Sequence, residues 1–196
     1  MRFKRIFTLG GALALTACLS FPCAAAETAK TGGTNMVEKG KKLVTIGGCN
    51  DCHTPKVYGP KGADLDAARL LSGQPADAKL PPLPSGIIGP GKWAAVTNEH
   101  FTAWFGPWGV SFSRNLTPDM ETGLGSWTEE MFIKAMRTGK HMGAADGRDI
   151  LPPMPWQGIG QLPDEDLKAI WAYLHSLKPV KNAVPEPIPP QQPPAQ

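Results

Sequence analysis

The chain has 196 residues, 41% hydrophobic and 19% charged, enough for one domain with a true core but too short for two of ordinary size. Its formal charge of +3 falls away once Arg2, Lys4 and Arg5 are set aside with the leader they open, which leaves seventeen basic against seventeen acidic side chains. A nearly neutral mature chain lacks the electrostatic footprint of a nucleic-acid-binding protein.

Residues 1–26 start with that basic group, continue with the apolar run Ile6 to Leu19 and end in Cys23-Ala24-Ala25-Ala26. This is the layout of a secretory signal peptide cleaved before Glu27. Gly10, Gly11 and several Thr and Cys shorten the run below the roughly 20 apolar residues that a bilayer span needs, so no transmembrane anchor is expected after cleavage. Leu15-Thr16-Ala17-Cys18 resembles a lipobox. Acylation at Cys18 would keep Cys23 as a stray thiol in an oxidising compartment, whereas cleavage after Ala26 removes both; a soluble periplasmic or secreted form is favoured over a lipoprotein.

Residues 27–34 are small and polar and are expected to be a flexible lead-in. A first helix is expected from Asn35, with Glu38 as capping-box partner and Val37, Gly40, Leu43, Val44 and Gly47 along one side. The two glycines on that face would permit close approach by another helix, and Gly47-Gly48 would stop it. From Pro55 to Ser113 there are eight Pro and eight Gly in 59 residues, yet Trp93, Trp104 and Trp108 argue against disorder and for a long irregular wrap packed on something apolar.

A second amphipathic helix is expected after Ser126, capped by Ser126 and Glu129, with Trp127, Met131, Ala135 and Met136 on one face and Gly139 as its stop. The last helix opens near Pro163 with Asp164, Glu165 and Asp166 in its first turn, and Leu167, Ile170, Trp171, Leu174 and Leu177 follow at helical spacing. Lys178-Pro179 ends it, and residues 180–196 form a proline-rich, extended tail. The core domain is thus placed at 35–179. Nothing alternates with period two, so the fold is expected to be predominantly helical with long loops.

Cys49-Asn50-Asp51-Cys52-His53 directly follows the first helix, and Cys-x-x-Cys-His is the attachment motif of c-type haem. Two thiols three residues apart on one helical turn can each join a vinyl group of the porphyrin, and the adjacent histidine is carried under the iron as its proximal ligand. A thioredoxin-like dithiol would need a strand before the cysteines, and structural zinc would need four ligands where the mature chain offers no further cysteine. One motif predicts one haem.

The sixth ligand must come from Met120, Met131, Met136, Met142, Met154, His100, His141 or His175. Met154 is favoured, because Pro153 and Pro155 stiffen the backbone that presents its thioether. Met131 and Met136 read as core filler on a helix face. The three histidines read as solvated or hydrogen-bonded. Asn115-Leu116-Thr117 matches a glycosylation sequon, to which so short a match lends no weight.

Leu71-Ser72-Gly73, Asn115-Leu116-Thr117-Pro118-Asp119, Glu121-Thr122-Gly123-Leu124-Gly125-Ser126-Trp127-Thr128 and Pro153-Met154-Pro155-Trp156, with Asp164-Glu165-Asp166-Leu167 and Ala172-Tyr173-Leu174, together resemble a known series. They are similar to the haem modules in cytochrome c subunits of bacterial membrane-associated alcohol and gluconate dehydrogenases, and more broadly to class I type monohaem cytochrome c. The resemblance runs from Val37 to Pro179. Those subunits carry three such modules in tandem and this chain carries one, with a longer region between Lys56 and Trp108.

The resemblance implies an all-α, cytochrome c-like domain wrapped around one covalently bound haem c, with a long Pro/Gly/Trp-rich insertion. It implies thioether bonds at Cys49 and Cys52, with His53 and Met154 as axial iron ligands. The expected function is outer-sphere single-electron transfer by a carrier that is not itself an enzyme. Its redox partners would be an exported dehydrogenase or another cytochrome upstream and an oxidase or reductase downstream. The alternative is a haem enzyme or gas- or peroxide-binding protein with an open or labile distal site, served by Arg137, Arg148 or His141. A third possibility gives the tail from Val184 to Gln196 a docking role in a larger complex.

Overall fold

In the computed structural model, which describes residues 25–83 and 85–190, the long helix α1 (Ala25–Ile46) lies against the last helix, α5 (Asp164–Ser176). The glycine face expected on α1 makes the contact: a Cβ on Gly40 would collide with the Ala169 carbonyl and the Tyr173 Cβ. Only a residue without a side chain lets the two backbones meet so closely. Val44 from α1 and Leu167, Ile170 and Leu174 from α5 fill the shared core, each worth about 1.5–3 kcal/mol on burial. Lys39 ties the same pair at the surface, reaching Asp166 at 2.6 Å and Glu165 at 3.1 Å.

Helix α1 begins at Ala25 rather than Asn35, so residues 27–34, expected as a flexible lead-in, have helical backbone. Ala25, Ala26, Glu27, Ala29 and Lys30 are strong helix formers. Their summed preference outweighs the two glycines at 32 and 33. The leader through residue 24, with Cys18 and the expected lipobox, lies outside the described residues, as do residues 191–196 of the tail. No helix among the described residues is long and apolar enough to cross a membrane.

Three further helices follow: α2 (Cys49–His53), α3 (Glu129–Thr138) and α4 (Trp156–Ile159). Helix α3 is capped by Thr128, whose hydroxyl accepts the Met131 amide at 3.2 Å, two residues beyond the expected Ser126. The later cap puts Glu129 and Glu130 together in the first turn, where both complement the helix dipole. Phe132, Ala135 and Met136 face inward, and Gly139 ends the helix as expected.

The all-α expectation is corrected by five short strands among the described residues. A hairpin pairs β1 (Lys56–Gly59) with β2 (Gly62–Leu65), and an antiparallel three-stranded sheet has the order β3 (Val96–Thr97), β4 (Ala103–Gly106), β5 (Gly109–Phe112). Among the described residues no strand exceeds four residues, and β5 is buried at all four positions, so the alternation that marks a half-buried strand does not develop there. Ala103 of β4, Val110 and Phe112 of β5 and Val184 of the tail form a second small core. Trp104 and Trp108 are half-buried as the wrap requires, whereas Trp93 is 68% exposed and packs little of its ring.

The described part of the tail is bound to the domain. Val184 belongs to the second core, and Ile188 exchanges both backbone hydrogen bonds with Val110, at 2.8 and 2.9 Å. Composition marks such a segment as extended but does not show that it has a sheet edge to lie on.

Candidate cofactor site

The break at Gly47-Gly48 lets α2 start a new turn, and that turn carries Cys49, Cys52 and His53. Both cysteines are free and half-buried. Burial is the main cause that pushes each thiol above its ordinary pKa, and the Asp51 charge adds to it. His53 is buried, and removal from water pushes its pKa below the usual histidine value. It therefore stays a neutral imidazole at ordinary pH.

The orientation of His53 is fixed. Its Nδ1 lies 2.8 Å from the Arg114 carbonyl, and since a carbonyl can only accept, Nδ1 carries the proton and Nε2 keeps its lone pair. An imidazole oriented by a backbone carbonyl and basic at the other nitrogen is the usual form of a metal-ligating histidine.

The neighbouring motifs exist to place that carbonyl. Gly73, at φ +81°, lies so close to Ser113 and Arg114 that any Cβ would strike their backbone. Its amide also donates to the His53 carbonyl at 2.7 Å. Thr54, fully buried, accepts the Leu71 amide at 2.8 Å, and Leu71 in turn accepts the Leu116 amide at 2.8 Å. The Leu71-Ser72-Gly73 segment is thus wedged between α2 and the strand of chain that holds its histidine.

Asn115 is 2% exposed. Its carboxamide oxygen accepts from the Thr117 amide and hydroxyl at 3.0 and 2.8 Å, while its nitrogen donates to Val180 O at 2.8 Å. The sequon match is therefore an internal turn with no side chain free for a glycan. Asp119 makes a similar local turn, accepting from Thr122 N at 2.8 Å and Thr122 Oγ1 at 2.6 Å.

All four expected site residues, Cys49, Cys52, His53 and Met154, line one cavity of about 440 Å³. Leu124, Phe132, Met136 and Ile150 supply much of its apolar wall. The Met154 loop is held from both sides: Ser111 on β5 donates to the Pro152 carbonyl at 2.5 Å, and the Ile150 amide donates to Gly139 O at 2.8 Å. Two thiols on one turn suit attachment to porphyrin vinyl groups, and a neutral imidazole with a free lone pair and a thioether across an apolar hollow suit its iron.

The remaining candidates divide cleanly. Met136 and His141 also line the cavity, whereas Met120, Met131, Met142, His100 and His175 do not. Met120 is 67% exposed. His100 accepts the Lys56 amide at 3.3 Å, and His175 stacks on Trp171 with ring centroids 3.7 Å apart. His141 meets Trp127 edge to face, and its pKa is lowered by burial first and then by the charges of Arg148 and Arg114.

Of the three groups considered for a distal pocket, Arg148 and His141 reach the cavity and Arg137 does not. The Arg137 guanidinium is engaged by the Gly160 carbonyl and by Asp164 at 2.6 Å. Sequence reasoning missed Arg114 as a cavity residue. Its position just before Asn115-Leu116-Thr117 was the one available signal, but no periodicity distinguishes it.

A family model described as cytochrome c matches residues 37–178. The chain is 40% identical over 83 residues to the cytochrome c subunit of the quinone alcohol dehydrogenase of Gluconobacter oxydans, covering 41% of this chain and 17% of that one. With the gluconate 2-dehydrogenase cytochrome c subunit of Pantoea cypripedii it shares 30% identity over 166 residues, 84% of this chain and 28% of the relative. It is also 31% identical over 150 residues to a nicotinate dehydrogenase subunit of Pseudomonas putida, covering 76% of this chain and 9% of that protein. The chain thus spans less than a third of the length of each.

Proposed function

The chain belongs to the cytochrome c family, and from that premise we propose that it is an exported monohaem carrier passing single electrons between redox proteins. The observation that carries this reading is the convergence of Cys49, Cys52, His53 and Met154, from segments a hundred residues apart, on one apolar cavity. Cys49 and Cys52 would hold haem c through thioether bonds, and His53 and Met154 would be the protein ligands of its iron. Bound there, the haem supplies one-electron chemistry at its iron.

The protein's own contribution is positional. The Arg114 carbonyl holds His53 in one tautomer and one orientation, so the ligand has little left to reorganise when the charge at the site changes. Met154 sits on a loop pinned by Ser111 and Gly139, which favours a bond that persists in both oxidation states. Leu124, Phe132 and Ile150 give the cavity an apolar wall, and apolar surroundings disfavour the more highly charged oxidised form. With His53 and Met154 both holding the iron, none of its ligand positions would be left to a substrate. Cytochrome subunits among the relatives belong by name to alcohol and gluconate dehydrogenases; we propose an exported dehydrogenase or a second cytochrome as donor and an oxidase or reductase as acceptor. The leader supports a periplasmic location.

Cys49→Ser and Cys52→Ser test the attachment. After denaturation and acid extraction, haem should remain with the parent, be held through a single thioether in each single variant, and be fully extractable from the double variant. Haem fully extractable from the parent would refute the reading.

A second reading follows from the presence of His141 and Arg148 on the cavity wall, where they could serve a ligand such as peroxide. It requires an exchangeable sixth position, and carbon monoxide binding to the ferrous parent at low concentration would favour it.

A further inference from the structure

Between Val180 and Ile188 the tail is stitched to the domain at nearly every step. The Val180 amide donates to Thr117 Oγ1 at 3.1 Å and the Asn182 amide to Thr122 Oγ1 at 3.0 Å. The Asn182 side chain bridges three backbone groups, donating to Ser72 O and Gln74 O at 2.7 and 2.8 Å and accepting the Ala76 amide at 2.9 Å. Val184 is buried. Ile188 pairs with Val110 across β5, and Gly109 has no Cβ to keep the passing Ile188 and Pro189 backbone away.

This strap borders the cavity, because Pro187 is one of its lining residues together with Arg114 and Arg148. Arg114 donates to the carbonyls of Val184 and Pro185 at 3.3 and 3.1 Å, and its other terminal nitrogen reaches Glu186 at 3.3 Å. Arg148 approaches the second oxygen of the same carboxylate at 3.8 Å. Burial and the Arg114 charge both depress the Arg148 pKa, and Glu186 opposes them. Two guanidiniums of the cavity lining thus share one carboxylate, and the three groups together leave net positive charge, of the sign that a porphyrin's carboxylates complement.

We infer that the strap is a working part of the haem site, and that Glu186 is a positioning residue which lowers the reduction potential by neutralising part of the Arg114 and Arg148 charge on the cavity lining. The inference rests on the haem reading above. Its direction follows from Coulomb's law: a negative charge near the iron favours the oxidised, more positive form, and a positive charge favours the reduced one. Glu186 is 72% exposed, so the pair adds little to folding stability. Its field at the site remains, and salt should screen it.

The test is the midpoint potential of haem-loaded, full-length Glu186→Gln and Arg148→Gln, with covalent haem content measured in each and in the parent. In low salt, Glu186→Gln should raise the ferrous-to-ferric ratio at a fixed ambient potential by about two- to tenfold. Glu186→Lys should raise it further. Arg148→Gln should move it the other way, and the shifts should contract in high salt. A structural effect of the strap would move both variants in the same direction and would not depend on salt. Parental haem content with an unmoved potential in Glu186→Gln and Glu186→Lys would overturn the strap proposal alone; a parent that binds no covalent haem would overturn the haem reading and this inference with it.

Discussion

His53 and Arg114 lie 61 residues apart in the chain and are joined by one hydrogen bond of 2.8 Å, from the imidazole Nδ1 to the backbone carbonyl. That bond connects the cysteine-bearing turn to the segment that follows β5. The carbonyl is where it is because Leu71-Ser72-Gly73 fits between the two segments, and the fit depends on Gly73 having no side chain.

Gly73→Ala should therefore damage the site from outside it. The substitution forces a Cβ into the Ser113 and Arg114 backbone at a positive φ, for a cost of about 2–4 kcal/mol from strain and overpacking. The thermal midpoint should fall and covalent haem content with it, while Gly86→Ala, where a Cβ would meet nothing, should cost only the strain of its own positive φ and leave haem content unchanged.

Gly40→Leu tests the helix pair in the same way. Separation of α1 from α5 should lower stability by roughly 3 kcal/mol or more in chemical denaturation, because the side chain has the Ala169 carbonyl in its path. Unchanged stability would mean that the two helices do not pack as described.

Asn182→Ala removes three hydrogen bonds that anchor the strap. The expected loss is about 1–3 kcal/mol, with faster amide exchange at Ile188 and Val110. Exchange confined to residues before Val180 would contradict a strap held as a unit.

Acid should destabilise the holoprotein partly through two histidines. Burial is the leading cause that lowers the pKa of both His141 and His175 from 6.5, so in the unfolded chain each takes up a proton at a higher pH than in the native state. Their contribution is complete above pH 6.5 and is lost as pH falls from there through the native values. His175 Nε2 is buried with no hydrogen-bond partner, so His175→Phe should flatten the decline of the thermal midpoint between pH 7 and pH 5. A decline as steep as the parent's would assign the acid sensitivity elsewhere.

Much of the site was legible because it is written in short, local rules. Cys-x-x-Cys-His fixes its own geometry on a single turn, prolines around Met154 announce a rigid loop, and the spacing of Leu167, Ile170 and Leu174 declares α5. What stayed hidden depends on distant partners. Strands of two to four residues carry no period, and Ile188 has nothing in its own sequence to say that Val110 will pair with it. Gly40 was readable as a close-contact position, since its place on the apolar face already implied a helix opposite. Arg114 was not, for its role belongs to its carbonyl and to a carboxylate 72 residues away.

The central claim is that Met154 completes the coordination of an iron held by His53. The most direct measurement is the ferric visible and far-red spectrum of the parent beside Met154→Ala and Met136→Ala. The account expects the weak charge-transfer band of a methionine-ligated ferric haem in the parent and in Met136→Ala, and its loss in Met154→Ala. A band that survives in Met154→Ala, or a high-spin parent without it, would contradict the account.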